Sequence, residues 1–76
     1  MVDVNKLREK IGSCGMNITE MAEKVGIDKA TFYRKLSANG ATFSIKEVDA
    51  MARVLKMDKN EVNKIFFTQY VADVRR

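Results

Sequence analysis

The 76-residue chain contains no histidine, no proline and no tryptophan, and it has a single cysteine. One cysteine cannot form an intramolecular disulfide, and without histidine it cannot complete a zinc site of the usual Cys/His type. The same absences exclude a Ser-His or Cys-His nucleophile pair within one subunit. The four glycines follow neither the GxxxxGK[ST] nor the GxGxxG spacing. Most enzyme classes therefore lack their necessary residues, and we predict a protein that is not an enzyme and has no metal or cofactor.

Long apolar segments are absent as well. No run approaches the roughly 18 apolar residues that a membrane span needs, and the first ten residues, MVDVNKLREK, lack the apolar stretch of a signal peptide. The length suits one small domain with a thin core. A hydrophobic fraction of 46% with 32% charged residues is a globular composition. We expect one folded cytoplasmic domain without membrane contact and without an evident small-molecule ligand.

The positive charge is concentrated in one stretch. The chain carries 14 basic and 10 acidic residues, a net charge of +4. From Lys24 to Lys46 five basic residues face one acid, Asp28, so that five minus one accounts for the whole excess. Composition alone does not exclude catalysis by carboxylate side chains. The ten aspartates and glutamates are scattered along amphipathic segments, however, and we interpret them as solvent-exposed surface residues. A local positive field favours a polyanionic partner, with a merely solvated surface as the alternative.

Helix-start signals recur along the chain and predict an all-α bundle of five helices. A stripe of Val4, Leu7 and Ile11 predicts a first helix over 3–13, with Cys14 as a small hydrophobe completing the stripe. Three capping boxes, each a cap residue with a glutamate three positions later, predict the starts of the second, fourth and fifth helices. They are Asn17 with Glu20, Ser44 with Glu47, and Asp58 with Glu61.

The second helix ends at Gly26, and Asp28 begins a third helix over 29–37. On a helical wheel Phe32 and Leu36 of this third helix point inward. Its outward face comprises Ala30, Arg34 and Ser37, flanked by Thr31 and Tyr33.

The last two helices are predicted by apolar spacing. The fourth extends to about Lys56, with Ile45, Val48, Met51 or Ala52, and Leu55 inside. The fifth has Val62, Ile65 and Phe66 inside.

The C-terminus is too apolar for a frayed tail, and its β-favouring residues 67–71 predict an extended piece. It either folds back over the bundle or meets a second copy, and we favour self-association. The chain is thus divided into a domain over 1–66 and a tail over 67–76. The candidate dimerisation residues are Phe67, Tyr70, Val71 and Val74.

Residues 18–37, ITEMAEKVGIDKATFYRKLS, resemble the helix-turn-helix of the lambda repressor and Cro superfamily, the Xre type. Ala22 permits close approach of two helices and Gly26 forms the turn between them. The resemblance covers at least 3–56, and the TFYRKL, SIKEV and IFF segments are similar to small phage-encoded Cro-like regulators. Lys35 departs from the pattern, since many members have an aliphatic residue there, and this rotates the end of the third helix relative to the family template.

The resemblance implies a sequence-specific transcriptional regulator, a repressor that binds a double-stranded DNA operator as a homodimer. The third helix would enter the major groove. The residues implied to read bases are Lys29, Ala30, Thr31, Tyr33 and Arg34. Those implied to bind phosphates are Asn17, Ile18 and Thr19 through their amides, and Lys35, Ser37, Asn39, Thr42, Ser44 and Lys46. The alternative is a protein-interaction module with this fold, such as an antirepressor, that binds another regulator through the C-terminal aromatic segment.

Overall fold

The computed structural model describes residues 2–67, which form five α-helices and no strand within that range. The helices are α1 (Val4–Ser13), α2 (Ile18–Val25), α3 (Lys29–Ser37), α4 (Ile45–Val54) and α5 (Lys59–Phe66). The predicted all-α fold of five helices is confirmed. The predicted extended tail, apart from Phe67, lies outside the described residues. No helix between residues 2 and 67 has the length and apolar character needed to cross a membrane.

The helix starts follow the capping pattern, with one correction. Asn17 and Glu20 form a complete capping box, with bonds of 2.8 and 3.0 Å, and Ser44 and Glu47 form another at the start of α4. At α5 the Asp58 carboxylate accepts the Glu61 amide at 2.8 Å. The prediction is wrong for the reciprocal half of this third box, because the Glu61 carboxylate instead accepts a hydrogen bond from Lys10 Nζ at 2.7 Å.

The core lies where the five helices meet and contains no buried polar residue among those described. Its members share an exposure of 5% or less: Leu7, Ile11, Met21, Ala22, Phe32, Leu36, Met51, Leu55, Ile65 and Phe66. Phe32 of α3 is fully buried, and its ring centroid lies 5.4 Å from that of Phe43 in the following loop. The inward face of α3 is therefore as predicted, and the loop after α3 packs on the same ring that anchors the helix in the core.

Two residues predicted to be inside lie at the surface. Ile45 is 85% exposed. At 100° per residue it lies about 120° from Met51 around α4, outside the stripe formed by Val48, Met51 and Leu55. Cys14 is exposed as well, because α1 ends at Ser13 and Cys14 occupies its C-cap.

The turn between α2 and α3 depends on a glycine. Gly26 has φ +90°, and the amides of Gly26 and Ile27 both donate to the Ala22 carbonyl, at 2.9 and 3.0 Å. These two bonds end α2 and reverse the chain direction within two residues. The turn requires the positive φ of residue 26, which glycine adopts without steric cost. Asp28 then caps α3 by accepting the Ala30 amide at 3.0 Å. The sequence 18–37 thus forms two helices joined by a tight turn.

The first residues of the chain pack against its far end. The Asp3 amide donates to the Ile65 carbonyl at 2.6 Å. Val2 lies against Gly40, which has φ +72° and is buried in the loop after α3. The Gly40 amide also donates to the Lys35 carbonyl at 2.8 Å, which closes the C-terminal end of α3. The loop is therefore held from both α3 and the N-terminus.

Candidate functional site

The outer face of α3 is free of protein contacts over most of its length. Lys29, Ala30, Arg34 and Ser37 are exposed, and Tyr33 is 41% exposed. Thr31 is half-buried at the edge of this face. The face is open because Phe32 and Leu36, four residues apart, occupy the opposite side of the helix. All five candidate base-reading residues therefore lie at or beside one accessible surface, while their role stays a prediction.

The cations between Lys24 and Lys46 are mostly uncompensated. Lys24, Lys29, Arg34 and Lys46 are exposed and form no ion pair within residues 2–67. Arg34 Nη2 donates to Thr31 Oγ1 at 3.1 Å, which orients the guanidinium without neutralising it. The positive field predicted for this stretch therefore remains available to an anionic partner.

A shallow groove of about 300 Å³ runs beside the start of α2 and reaches Tyr33 of α3. The amides of Ile18 and Thr19 have no acceptor within their own helix, as the first amides of any helix do not. Arg8 of α1 lines the same groove and is exposed. Sequence reasoning missed Arg8, since α1 precedes the helix-turn-helix and only the packing brings this side chain to α2.

The other candidate phosphate contacts flank α3. Those that are exposed are Asn17, Thr19, Ser37, Asn39, Thr42, Ser44 and Lys46. The Asn17 amide, one of the three amides predicted to bind a phosphate, donates to Glu20 Oε1 at 3.0 Å within the capping box. Ile18 is half-buried, which does not affect a contact through its amide. Ser44 Oγ already accepts the Glu47 amide at 3.0 Å. The structure thus places one group at the start of α2 and another along 37–46, and phosphate binding by either stays a prediction.

Lys35 has a different environment from the other cations. Its ammonium lies 2.9 Å from Glu47 Oε1 and donates to the Thr42 carbonyl at 3.1 Å. It also lies 5.9 Å from the centre of the Phe43 ring. Burial by itself opposes ionisation of Glu47, but hydrogen bonds from the Ser44 amide and from Lys35 outweigh it and hold the pKa of Glu47 below its usual value. The charge of Lys35 is therefore compensated within the protein.

The remaining candidate residues fall at the end of the described chain. Phe67 follows α5 and is 41% exposed. The other predicted dimerisation residues, Tyr70, Val71 and Val74, lie outside the described residues. Within 2–67 no three His, Cys, Asp or Glu side chains come together as a potential metal site.

The chain matches a known protein family. A family model described as a Cro/C1-type HTH DNA-binding domain matches residues 6–66, most of the chain. Comparisons with curated proteins and with solved structures found no match. The matched range includes all five helices apart from the first two residues of α1.

Proposed function

This chain belongs to the Cro/C1-type helix-turn-helix family of DNA-binding domains, and from that premise we propose that it is a sequence-specific regulator of transcription. It reads a double-stranded operator with α3 in the major groove. We further propose that it acts as a repressor of the small, phage-encoded Cro-like kind. The observation that carries the proposal is the open face of α3, where exposed cations stand without protein counter-charges.

The composition of that face suits base reading. Lys29 at the start of α3 and Arg34 more than a turn later can each donate to guanine O6 and N7, Arg34 in bidentate fashion. Ala30 offers a methyl group to a thymine methyl. Thr31 and Tyr33 lie where they can meet a base edge or a phosphate at the rim of the groove.

Phosphate contacts on both sides of α3 would fix its register. The free amides of Ile18 and Thr19 suit a phosphate oxygen, since a helix N-terminus favours an anion, and Arg8 adds a cation to the same groove. On the other side, Ser37, Asn39, Thr42, Ser44 and Lys46 present donors along the loop and the first turn of α4. Such contacts position the protein and carry no sequence information themselves.

We also propose that the operator is bound by a homodimer. One recognition helix covers only part of a helical turn of DNA, and two-fold dimers reading half-sites about 34–36 Å apart are the usual solution. In this proposal 1–66 is the DNA-binding domain and 67–76 carries the dimer contact, beginning with the exposed ring of Phe67.

The test is binding of the full chain to duplexes selected from a random library, measured by anisotropy at several salt concentrations. Arg34→Ala is expected to cost about 1–3 kcal/mol and to relax preference at one base pair, whereas Lys46→Ala should weaken all duplexes alike and reduce the salt slope by about one. Lys59→Ala on α5 removes the same charge away from α3 and serves as the matched control. Selection of no preferred sequence would refute the proposal.

A second function is favoured by the exposure of two large apolar side chains, Ile45 at 85% and Phe67 at 41%. In that case the domain binds another protein, as an antirepressor does, and contacts with DNA are weak and independent of sequence. The same titrations separate the two functions: tight, sequence-dependent binding that is lost in Arg34→Ala supports the regulator, and equal weak binding to every duplex supports the interaction module.

A further inference from the structure

One of the five cations between Lys24 and Lys46 is paired inside the protein. Lys35 contacts Glu47 at 2.9 Å, and the side-chain exposures of the two residues are only 20% and 16%. The other four cations are exposed and form no ion pair within residues 2–67. A surface adapted only for strong attraction to phosphates would leave this charge free as well.

A single carboxylate oxygen joins three parts of the structure. Glu47 Oε1 accepts from the Ser44 amide at 2.9 Å and from Lys35 Nζ at 2.9 Å. Lys35 in turn donates to the Thr42 carbonyl at 3.1 Å. The start of α4, the loop before it and the last turn of α3 are thereby connected through one ion pair.

The loop that is held in this way carries side chains proposed to grip the DNA backbone. Asn39 and Thr42 are exposed on it, and Ser44 is at its end. Phe43, in the same loop, packs its ring on Phe32 of α3 and lies near the Lys35 ammonium. The side chain of Lys35 therefore adds to the contacts of Gly40 and Phe43 that fix these donors relative to α3.

We propose that Glu47 is a positioning residue for DNA recognition: it withholds the Lys35 ammonium from the phosphate backbone and uses it to fix the loop over 38–44 against α3. The proposal rests on the proposed function. Phosphate attraction strengthens binding to every sequence equally. A fixed loop instead holds α3 in one register on the duplex, and only in that register do its base-reading side chains meet the preferred sequence. Glu47 thus lowers sequence-independent affinity and raises the ratio of specific to random binding.

Glu47→Gln tests this directly, because glutamine retains an oxygen for the Ser44 amide and loses the charge that holds Lys35. Binding of the full chain to a random duplex should become tighter. Its salt slope should steepen by about 0.9, the effect of one added phosphate contact, which is roughly a threefold greater loss of affinity between 50 and 200 mM salt. The preference for the selected duplex should fall.

Two further variants assign the effect to Lys35. Lys35→Met should leave the salt slope unchanged while the preference for the selected duplex falls at least about twofold, as coupling between contacting residues predicts. The double variant Glu47→Gln with Lys35→Met should return to the wild-type slope. Glu61→Gln is the matched control: it makes the same charge change in the ion pair with Lys10, between α5 and α1, and should not alter the preference.

Two results would overturn the proposal. One is a slope about 0.9 shallower in Lys35→Met, because this would make Lys35 itself a phosphate contact. The other is a Glu47→Gln slope equal to that of Glu61→Gln. Unfolding of Glu47→Gln, detected by circular dichroism, leaves the decision to Lys35→Met. A wild type without sequence preference refutes the proposed function, whereas the slopes on random duplex still decide the role of Glu47.

Discussion

Replacing Gly40 by alanine should destabilise the fold more than the same change at any other glycine with a positive φ. A β-carbon at Gly40 would lie 2.6 Å from the β-carbon of Val2, a distance that ordinary side chains do not reach. The position also has φ +72°, which costs a non-glycine residue about 1–2 kcal/mol. Overpacking adds about 1–3 kcal/mol. The expected loss in the free energy of unfolding is therefore about 2–5 kcal/mol, the sum of these two ranges.

Two other glycines separate these contributions. Gly26 has φ +90°, but no neighbouring atom lies within 4 Å of the place that an alanine β-carbon would take, so that Gly26→Ala should cost only the backbone part, about 1–2 kcal/mol. Gly12 lies within α1 in open space. There alanine is the better helix former by up to about 1 kcal/mol, and Gly12→Ala should stabilise the protein.

Urea unfolding followed by circular dichroism measures all three variants. The expected order of stability, from highest to lowest, is Gly12→Ala, wild type, Gly26→Ala and Gly40→Ala. The substitution Val2→Gly removes the side chain that the new β-carbon would overlap. Gly40→Ala should therefore lower the free energy of unfolding less when it is introduced into Val2→Gly than when it is introduced into wild type. A Gly40→Ala variant no less stable than Gly26→Ala, or an equal loss in the two backgrounds, would show that Val2 does not pack on this loop.

Three further predictions concern the core and the two tertiary ion pairs. Phe32→Ala should cost about 3–5 kcal/mol, a large part of the roughly 4–11 kcal/mol expected for a chain of this size. Its thermal midpoint should therefore lie at least about 12 °C below that of wild type. A Phe32→Ala midpoint near that of wild type would contradict the burial of this ring. Folding lowers the pKa of Glu47 below the value of about 4.5 that it has in the unfolded chain. The ionised carboxylate therefore stabilises the fold fully above pH 4.5, and this contribution is lost as the pH falls through the folded pKa. The stability of Glu47→Gln, measured as a function of acid pH, should lack this component. Hydrogen bonding to Glu61 raises the pKa of Lys10 above 10.5. The pair therefore stabilises the fold fully below pH 10.5, and this contribution is lost as the pH rises through the raised pKa. Glu61→Gln should abolish this dependence of stability on alkaline pH.

The elements that could be predicted from the sequence depend on short-range interactions. The sequence pattern predicts α3 over 29–37, and the structure has Lys29–Ser37. This agreement follows from Asp28 and Gly26, whose cap and turn act within a few residues of themselves. The inward positions of Phe32 and Leu36 likewise require only the helical period.

Features that depend on how helices pack were not predictable. The family resemblance implies a phosphate contact for Lys35, but its contact with Glu47 arises from the approach of α4 to α3, which no local pattern encodes. The incomplete capping box at Asp58 has the same origin, since Glu61 is drawn away by Lys10, 51 positions earlier in the chain. Arg8 reaches the start of α2 only in the folded molecule.

The exposure of Tyr33 provides the molecule with a built-in optical reporter. The chain has no tryptophan and only two tyrosines, so that tyrosine emission comes from Tyr33 and Tyr70 alone. Tyr70→Phe would leave a single tyrosine fluorophore, seated on the outer face of α3. Binding of α3 in the major groove would change the fluorescence intensity of Tyr33, through contact with the bases or through loss of solvent. Binding could then be measured in real time without a dye attached to the protein or the DNA.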